Sequence, residues 1–202
     1  MKIIVFIFIL TLIIIIFILS LQKNKVDNFN NAKFIKSFKD KNIIICGNSP
    51  NFPESFSKTK SIPNQFIIRF NTVLNFIDLN DKTDVLFVSK ELLEKNTIDE
   101  FSNWKQKCKR CKVYFINETF YNNKLLDNIN KSYPLNFTSG FTTITYLLNY
   151  TNKITLVGFD LPDNYNSKTN WFRDNPTYKG HDIYKEKELL NELIYKYKLN
   201  KI

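Results

Sequence analysis

The chain begins with a continuous apolar run and then alternates between short apolar and longer amphipathic segments. Residues 3–19 contain a single polar residue, Thr11. As a helix this run would span roughly 25 Å, and Ser20 and Leu21 extend it toward the thickness of a bilayer's hydrocarbon core. No small-x-small cleavage site follows it. The pattern therefore predicts an uncleaved transmembrane signal-anchor helix over residues 1–22, in a single-pass membrane protein.

Residues 23–41 are polar and rich in Asn and Lys, which predicts a stem that leads away from the membrane. From residue 42 onward, short apolar runs predict strands that are buried on both faces. These runs cover residues 43–46, 66–70, 85–88, 113–116 and 154–157.

Helical patterns lie between and after these strands, over residues 91–107, 140–150 and 182–198. In the last of them the apolar residues recur at helical spacing. Alternating helices and buried strands favour an α/β fold, with a Rossmann-like, mostly parallel sheet flanked by helices. Residues 42–202 are expected to form this one domain.

The net charge of +10 allows two interpretations, either attraction to an anionic substrate or membrane surface or a solvated lysine-rich face. Basic and aromatic residues do not alternate in a nucleic-acid-binding pattern, so no nucleic-acid partner is expected.

Cys108 and Cys111 have the spacing of a metal knuckle, but only Cys46 and His181 could complete a zinc site. We expect no metal, and either a local disulfide or two free thiols. The chain contains no Gly-rich dinucleotide loop and no Walker A sequence.

Two short segments carry groups suited to a phosphorylated ligand. Gly47, Asn48 and Ser49 follow the first predicted strand, and parallel sheets bind ligands beyond the carboxyl ends of their strands. They could equally form a plain turn. The segment 138–140, which is Thr-Ser-Gly, opens a predicted helix, where N–H groups and hydroxyls favour an anion. A simple N-cap is the alternative.

His181 is the only histidine in the chain, and it lies just before the last predicted helix. A lone histidine is usually structural or merely exposed. If the domain performs acid–base chemistry near neutral pH, His181 is the obvious candidate for the base. Glu186 follows it by five positions.

Taken together, these segments resemble the sialyltransferases of glycosyltransferase family 29. The blocks occur in the family's order: Ile-Ile-Cys-Gly-Asn-Ser at 44–49, Ile-Arg-Phe-Asn at 68–71, Thr-Ser-Gly at 138–140, Ile-Thr-Leu-Val-Gly-Phe-Asp at 154–160 and His-x4-Glu at 181–186. The first two resemble the large sialyl motif, the next two the small motif and the last the very small motif. The bacterial sialyltransferases of family 42 share much of this skeleton, and His-x4-Glu favours family 29.

The resemblance implies a GT-A-variant fold and an inverting, metal-independent transferase that needs no cofactor. It would move sialic acid from CMP-sialic acid, or a related nucleotide sugar, to a glycan acceptor. It also implies a type II membrane protein, facing the Golgi lumen if the host is eukaryotic.

Residue roles carry over from the matching motifs. His181 would be the general base, and Glu186 would support the catalytic site. Nucleotide or donor binding would fall to the remaining matched positions: Gly47, Asn48, Ser49, Asn71, Thr138, Ser139 and Gly140.

The chain departs from the family in two places. The stretch that matches the family's third motif, residues 170–176, lacks the histidine that assists the departing phosphate, so Asn170, Arg173 or Tyr178 would have to replace it. The family's disulfide between the large and small motifs cannot form, because no cysteine follows Cys111. Two alternatives therefore stay open: the same fold acting on another nucleotide sugar, or an inactive membrane-tethered binding module.

Overall fold

The centre of the molecule is a parallel β-sheet, seen in a computed structural model that describes residues 29–49, 52–71, 83–89, 111–116, 118–134, 136–160 and 181–202. Within these ranges the sheet has six strands in the order β4-β3-β2-β1-β5-β6. The strands are β1 Asn42–Cys46, β2 Gln65–Phe70, β3 Val85–Val88, β4 Lys112–Phe115, β5 Ile154–Val157 and β6 Asn200–Lys201. The predicted α/β class and the mostly parallel sheet are confirmed.

Strand β1 lies at the point where the direction of sheet growth reverses. Ile45 of β1 pairs with Ile68 of β2 on one side and with Leu156 of β5 on the other. Strands β2 to β4 continue outward in the first direction, and β6 adds to β5 in the second. In open parallel sheets a ligand crevice forms at the carboxyl ends of the strands at such a reversal. The ends of β1 and β5 therefore mark the place where a site is expected.

Helices connect and flank the strands. Their bounds are α1 Asn31–Phe38, α2 Phe52–Ser57, α3 Glu118–Tyr121, α4 Lys124–Ser132, α5 Ser139–Leu147 and α6 Ile183–Tyr197, and a 3-10 turn at Lys58–Ser61 continues α2. Helices α5 and α6 confirm the predictions over 140–150 and 182–198, with shifted ends. The helix predicted over 91–107 lies outside the described residues.

Helix α1 lies inside the segment predicted as a polar stem. Its Phe34 and Phe38 are buried against the sheet, while its other face is exposed. Asn30 caps its first turn by accepting a hydrogen bond from the Lys33 N–H at 2.9 Å. The hydroxyl of Tyr146 in α5 donates to the side chain of Asn31. The hydrophobic core therefore includes residues that precede position 42.

The two faces of the sheet bury different kinds of side chain. One face carries a large aromatic core that reaches from α1 to α5, with Phe34, Phe66, Phe87, Phe120 and Tyr146 among its members. The opposite face buries a smaller cluster beneath α2, made of Ile44, Cys46, Phe52, Ile67 and Val157. Neighbouring residues of β1 alternate between these clusters, as the period of a strand requires.

Within the described ranges, no helix is both long and apolar enough to cross a membrane. The predicted anchor, residues 1–22, lies outside those ranges.

Cys111 is disulfide-bonded, whereas Cys46 is a buried free thiol whose pKa is raised to about 11 by burial. Cys108 lies outside the described residues. The part of the chain that the structure describes holds no cluster of His, Cys, Asp and Glu suited to a metal ion.

Candidate active site

The turn after β1, formed by Gly47, Asn48 and Ser49, is pressed against the end of β5, and we call it the glycine turn. The Gly47 N–H donates to the Val157 carbonyl at 2.8 Å, and the Ser49 N–H donates to the Gly158 carbonyl at 3.0 Å. A Cβ atom at position 47 would lie 2.2 Å from the Gly158 oxygen, so only glycine allows this approach.

Two polar atoms of the glycine turn are buried without a hydrogen-bond partner among the described residues. They are the Asn48 side-chain oxygen and the Ser49 hydroxyl. Buried polar atoms are nearly always hydrogen-bonded in folded proteins, so an exception needs an explanation. A polar ligand that entered the crevice at this turn would give both atoms partners.

Asn71, at the end of β2, has a structural hydrogen bond besides the nucleotide role predicted for it. Its φ of 56° is left-handed, a conformation that Asn tolerates better than most residues. Its side-chain oxygen accepts a hydrogen bond from the Ser89 N–H at 3.0 Å, which ties the end of β2 to the end of β3. Its amide NH₂ is the group with which this side chain could donate to a ligand.

Phe159 joins the start of α5 to the glycine turn. A Cβ atom at position 140 would lie 2.9 Å from the Phe159 ring, and one at position 47 would lie 3.0 Å from another atom of the same ring. The aromatic ring thus packs between Gly47 and Gly140. The structure therefore brings together the first, third and fourth blocks that the sequence analysis singled out.

His181 contacts a backbone carbonyl through one of its ring nitrogens. Its Nδ1 lies 2.6 Å from the Asn136 carbonyl oxygen. A carbonyl only accepts hydrogen bonds, so Nδ1 carries the proton and the neutral ring has its lone pair on Nε2. The side chain is half-buried at the start of α6. This arrangement fixes the tautomer that a general base requires.

Glu186 lies one turn into α6 and is buried, with 4% of its surface exposed. Its two carboxylate oxygens accept hydrogen bonds from the Thr138 N–H at 2.8 Å and from the Thr138 hydroxyl at 2.5 Å. Burial raises the pKa of this carboxyl, although the bonds from Thr138 and the charge of His181 oppose the shift. Thr138 also caps α5 by accepting a hydrogen bond from the Phe141 N–H. Glu186 thereby fixes the start of α5 against the start of α6.

The contacts between residues 136–138 and residues 181–186 define a second part of the site, which we call the histidine edge. Sequence reasoning placed His181 and Glu186 here, together with Thr138, Ser139 and Gly140, but missed Asn136 and Phe159. A backbone carbonyl leaves no signal in residue type, so Asn136 could not have been identified. Phe159 stood in a matched block, directly after Gly158, and that position was the only hint. Asn170, Arg173 and Tyr178 lie outside the described residues.

Comparison with known proteins gives structural neighbours but no match by sequence. No protein-family model and no curated protein matches the chain. Among solved structures, a mammalian sialyltransferase in complex with Gal-beta-1-3GalNAc-ortho-nitrophenol is 18% identical, with a TM-score of 0.55 over 91% of this chain and 78% of its own.

Two bacterial structures match in the same way. The sialyltransferase CstII from Campylobacter jejuni, in complex with the substrate analogue CMP-3FNeuAc, is 19% identical, with a TM-score of 0.52 over 80% of this chain and 81% of its own. The monofunctional alpha-2,3-sialyltransferase Cst-I from the same organism is 20% identical, with a TM-score of 0.51 over 88% and 78%. The described fold is therefore that of sialyltransferases, as the motif resemblance implied.

Proposed function

We propose that this chain is a sialyltransferase-like glycosyltransferase that moves sialic acid from CMP-sialic acid to a glycan hydroxyl, with inversion and without a metal ion. The observation that carries the proposal is the 2.6 Å contact between His181 Nδ1 and the Asn136 carbonyl. It prepares Nε2 to accept a proton. The shared fold and the neighbours' complexes with CMP-3FNeuAc and with a glycan acceptor support the choice of substrates.

In the proposed step, the acceptor hydroxyl oxygen attacks the anomeric carbon of sialic acid. The bond from that carbon to the phosphate oxygen breaks, and its electron pair leaves with CMP. The hydroxyl proton passes to His181 Nε2, which gives an imidazolium. The charge interaction between Glu186 and His181 favours that imidazolium whenever Glu186 is ionised.

The anionic donor would bind alongside the glycine turn and the start of α5, which the Phe159 ring joins. The first turn of α5 contains no acidic residue, and the N-terminus of a helix favours phosphate or carboxylate groups. Asn48 and Ser49 each have a buried polar atom without a hydrogen-bond partner among the described residues. Within the proposal, Ser139 and Gly140 face the donor's charged groups, while Gly47, Asn48, Ser49 and Asn71 hold the nucleotide.

The rest of the proposal concerns residues outside the described ranges. Asn170, Arg173 or Tyr178 would assist the leaving phosphate in place of the family's histidine, and an arginine is well suited to that charge. The apolar residues 3–19 would anchor the protein in a membrane.

Donor turnover tests the proposal. The full-length chain in detergent is incubated with EDTA, a β-galactoside acceptor and, in parallel reactions, CMP-sialic acid, UDP-galactose, UDP-N-acetylglucosamine and GDP-fucose. We expect release of CMP from CMP-sialic acid alone, and no release by a His181→Gln variant. Turnover of another donor instead, nucleotide binding without turnover of any donor, or dependence on a metal would each contradict it.

A further inference from the structure

Arg69 is a fully buried cation near the carboxyl end of a largely apolar strand. It belongs to β2 and has 0% of its surface exposed. Its guanidinium carbon lies 4.9 Å from the ring centroid of Phe52 and 4.7 Å from that of Phe56, both of α2. Its Nε donates a hydrogen bond to the Thr83 hydroxyl at 3.1 Å. Two aromatic rings of helix α2 therefore cover a buried positive charge.

The rest of the guanidinium has no hydrogen bond in the described part of the chain that would offset the cost of its burial. Both amino groups, Nη1 and Nη2, are buried there without a hydrogen-bond partner. The titratable group that acts most on Arg69 within those ranges is the Cys46 thiol. Burial raises the pKa of that thiol to about 11, so it is neutral at pH 7. An arginine does not release its proton near neutral pH, and an unpaired buried charge is costly.

The position of this charge in the sheet relates it to the glycine turn. Ile45 of β1 pairs with Ile68 of β2, so Arg69 lies one position further along, level with Cys46. Cys46 is the last residue of β1, and the glycine turn begins immediately after it. Helix α2, which rests on the guanidinium, begins three residues after the turn ends. Arg69 therefore lies in the strand next to the carboxyl end of β1, level with its last residue.

We propose that Arg69 is a positioning residue that supplies a fixed positive charge beside the glycine turn for the phosphate of the donor nucleotide. This inference rests on the proposed function. Arg69 acts through its field and through its support of α2, because its atoms are covered and do not touch a ligand in the crevice. A charge with low-dielectric surroundings acts over a longer range than a solvated one, and the cost of burying it is offset when an anion binds nearby.

Arg69 lies in the second motif block, residues 68–71, where the sequence assigned a role only to Asn71. One signal was present, since an arginine is rare inside a strand of otherwise apolar residues. The stacking on Phe52 and Phe56 could not be read from the sequence, because those residues lie on a different element.

The test compares the binding of CMP with that of cytidine, which has the same base and ribose but no phosphate. Calorimetry on the full-length chain in detergent gives the ratio of the two affinities, which isolates the contribution of the phosphate. Arg69→Met keeps a long side chain under α2 but removes the charge. We expect it to reduce the ratio at least about tenfold while leaving cytidine affinity within about twofold of wild type.

Two variants serve as controls. Arg69→Lys keeps the charge and should preserve most of the ratio. Lys60→Met removes one exposed charge from the 3-10 turn beside α2, and solvent screening should leave its ratio unchanged. If Arg69→Met does not fold, Arg69→Gln takes its place, since its amide can still donate to Thr83.

The outcomes separate this inference from the proposed function. An unchanged ratio in the neutral variant, or an equal loss of affinity for both ligands, would overturn the role of Arg69 and leave the proposed function standing. A wild-type protein that binds neither CMP nor cytidine would overturn the proposed function itself.

Discussion

The glycine turn and the histidine edge are connected through Phe159 and the start of α5 but are held in place by different chemistry. The turn is fixed by backbone hydrogen bonds to β5 and by the absence of a side chain at Gly47. The histidine edge is fixed by side chains, since Glu186 holds Thr138 and the ring of His181 contacts a carbonyl. A change in the turn should therefore disturb the fold, whereas a change in the edge can alter chemistry while the fold persists.

The largest expected effect is on catalysis, at the edge. His181→Ala should lower the rate of sialic acid transfer by about 10²–10⁴-fold, which is the usual contribution of a general base. Affinity for CMP and the free energy of unfolding should stay close to wild type, because the half-buried ring makes its described contact with a backbone oxygen. Steady-state kinetics, calorimetry with CMP and urea unfolding measure the three quantities.

A second readout separates a base from a merely structural histidine. Loss of the base should also remove the acidic limb of the plot of transfer rate against pH. If His181→Ala keeps wild-type activity, His181 is not the base. If it loses CMP affinity and activity together, a change at the histidine edge does not alter chemistry alone, as proposed.

In the turn, Gly47→Ala should lower the free energy of unfolding by about 3 kcal/mol, and CMP affinity should fall with it. The new methyl group would lie 2.2 Å from the Gly158 carbonyl oxygen, and that oxygen already accepts the Ser49 N–H. Backbone held in this way cannot move without losing hydrogen bonds. The expected loss of unfolding free energy therefore lies at the upper end of the range for overpacking substitutions. Urea unfolding of the full-length chain measures the change.

Gly140→Ala is the matched control. Its methyl group would meet the edge of the Phe159 ring at 2.9 Å, and a ring can shift where a carbonyl cannot. Alanine also favours a helix over glycine by about 1 kcal/mol, so the net change should stay within about 1 kcal/mol. Equal destabilisation by both substitutions would mean that the Gly47–Gly158 contact is not what fixes the turn.

A smaller effect should follow from Glu186→Gln at the histidine edge. The amide can accept only with its oxygen, so one of the two donors of Thr138 loses its buried acceptor. The expected loss is about 2 kcal/mol of unfolding free energy. Glu188→Gln removes an acid from the same helix, where its exposed carboxylate forms an ion pair with a partly buried Lys185. That control should change stability by less than about 1 kcal/mol, and a similar loss in both variants would contradict the role given to Glu186.

The same carboxyl should make stability depend on pH in a definite direction. Burial raises the pKa of Glu186 above its ordinary value of 4.5, so the folded state binds more protons than the unfolded state. Its contribution to stability is therefore complete below pH 4.5 and declines as the pH rises through the raised value. The difference in unfolding free energy between wild type and Glu186→Gln should thus narrow as the pH rises. If this difference in unfolding free energy widened as the pH rose, the pKa of Glu186 would be lowered by folding rather than raised.

The sheet was largely predictable because its strands are apolar on both faces. The predicted runs at 85–88 and 154–157 coincide with β3 and β5. Those at 43–46 and 66–70 begin one residue late, and that at 113–116 is shifted by one residue relative to β4. Strand β6 was missed, since it has only two residues and both are exposed and polar. Helix α1 was missed because its polar composition concealed the spacing of Phe34 and Phe38, the two side chains that it buries.

The site was predictable where residue type carries the chemistry. His181, Glu186 and the glycine turn were named from the sequence, and the structure connects all three to the start of α5, although their roles remain predictions. The contacts that orient them were not accessible. The Asn136 carbonyl is backbone, the Thr138–Glu186 pair joins residues 48 positions apart, and Arg69 acquires its surroundings only when α2 folds over it.

The contact between Gly47 and Gly158 also has a consequence for the order of folding. Strand β1 is synthesised early but lies at the centre of the sheet, and its partner β5 emerges from the ribosome about 110 residues later. Until then, β1 can pair only with β2, and the glycine turn has no Gly158 carbonyl to hold it. His181 and Glu186 emerge later still. The crevice should therefore be among the last features to form, and a nascent chain that stalls before β5 would expose the apolar edge of β1 to aggregation.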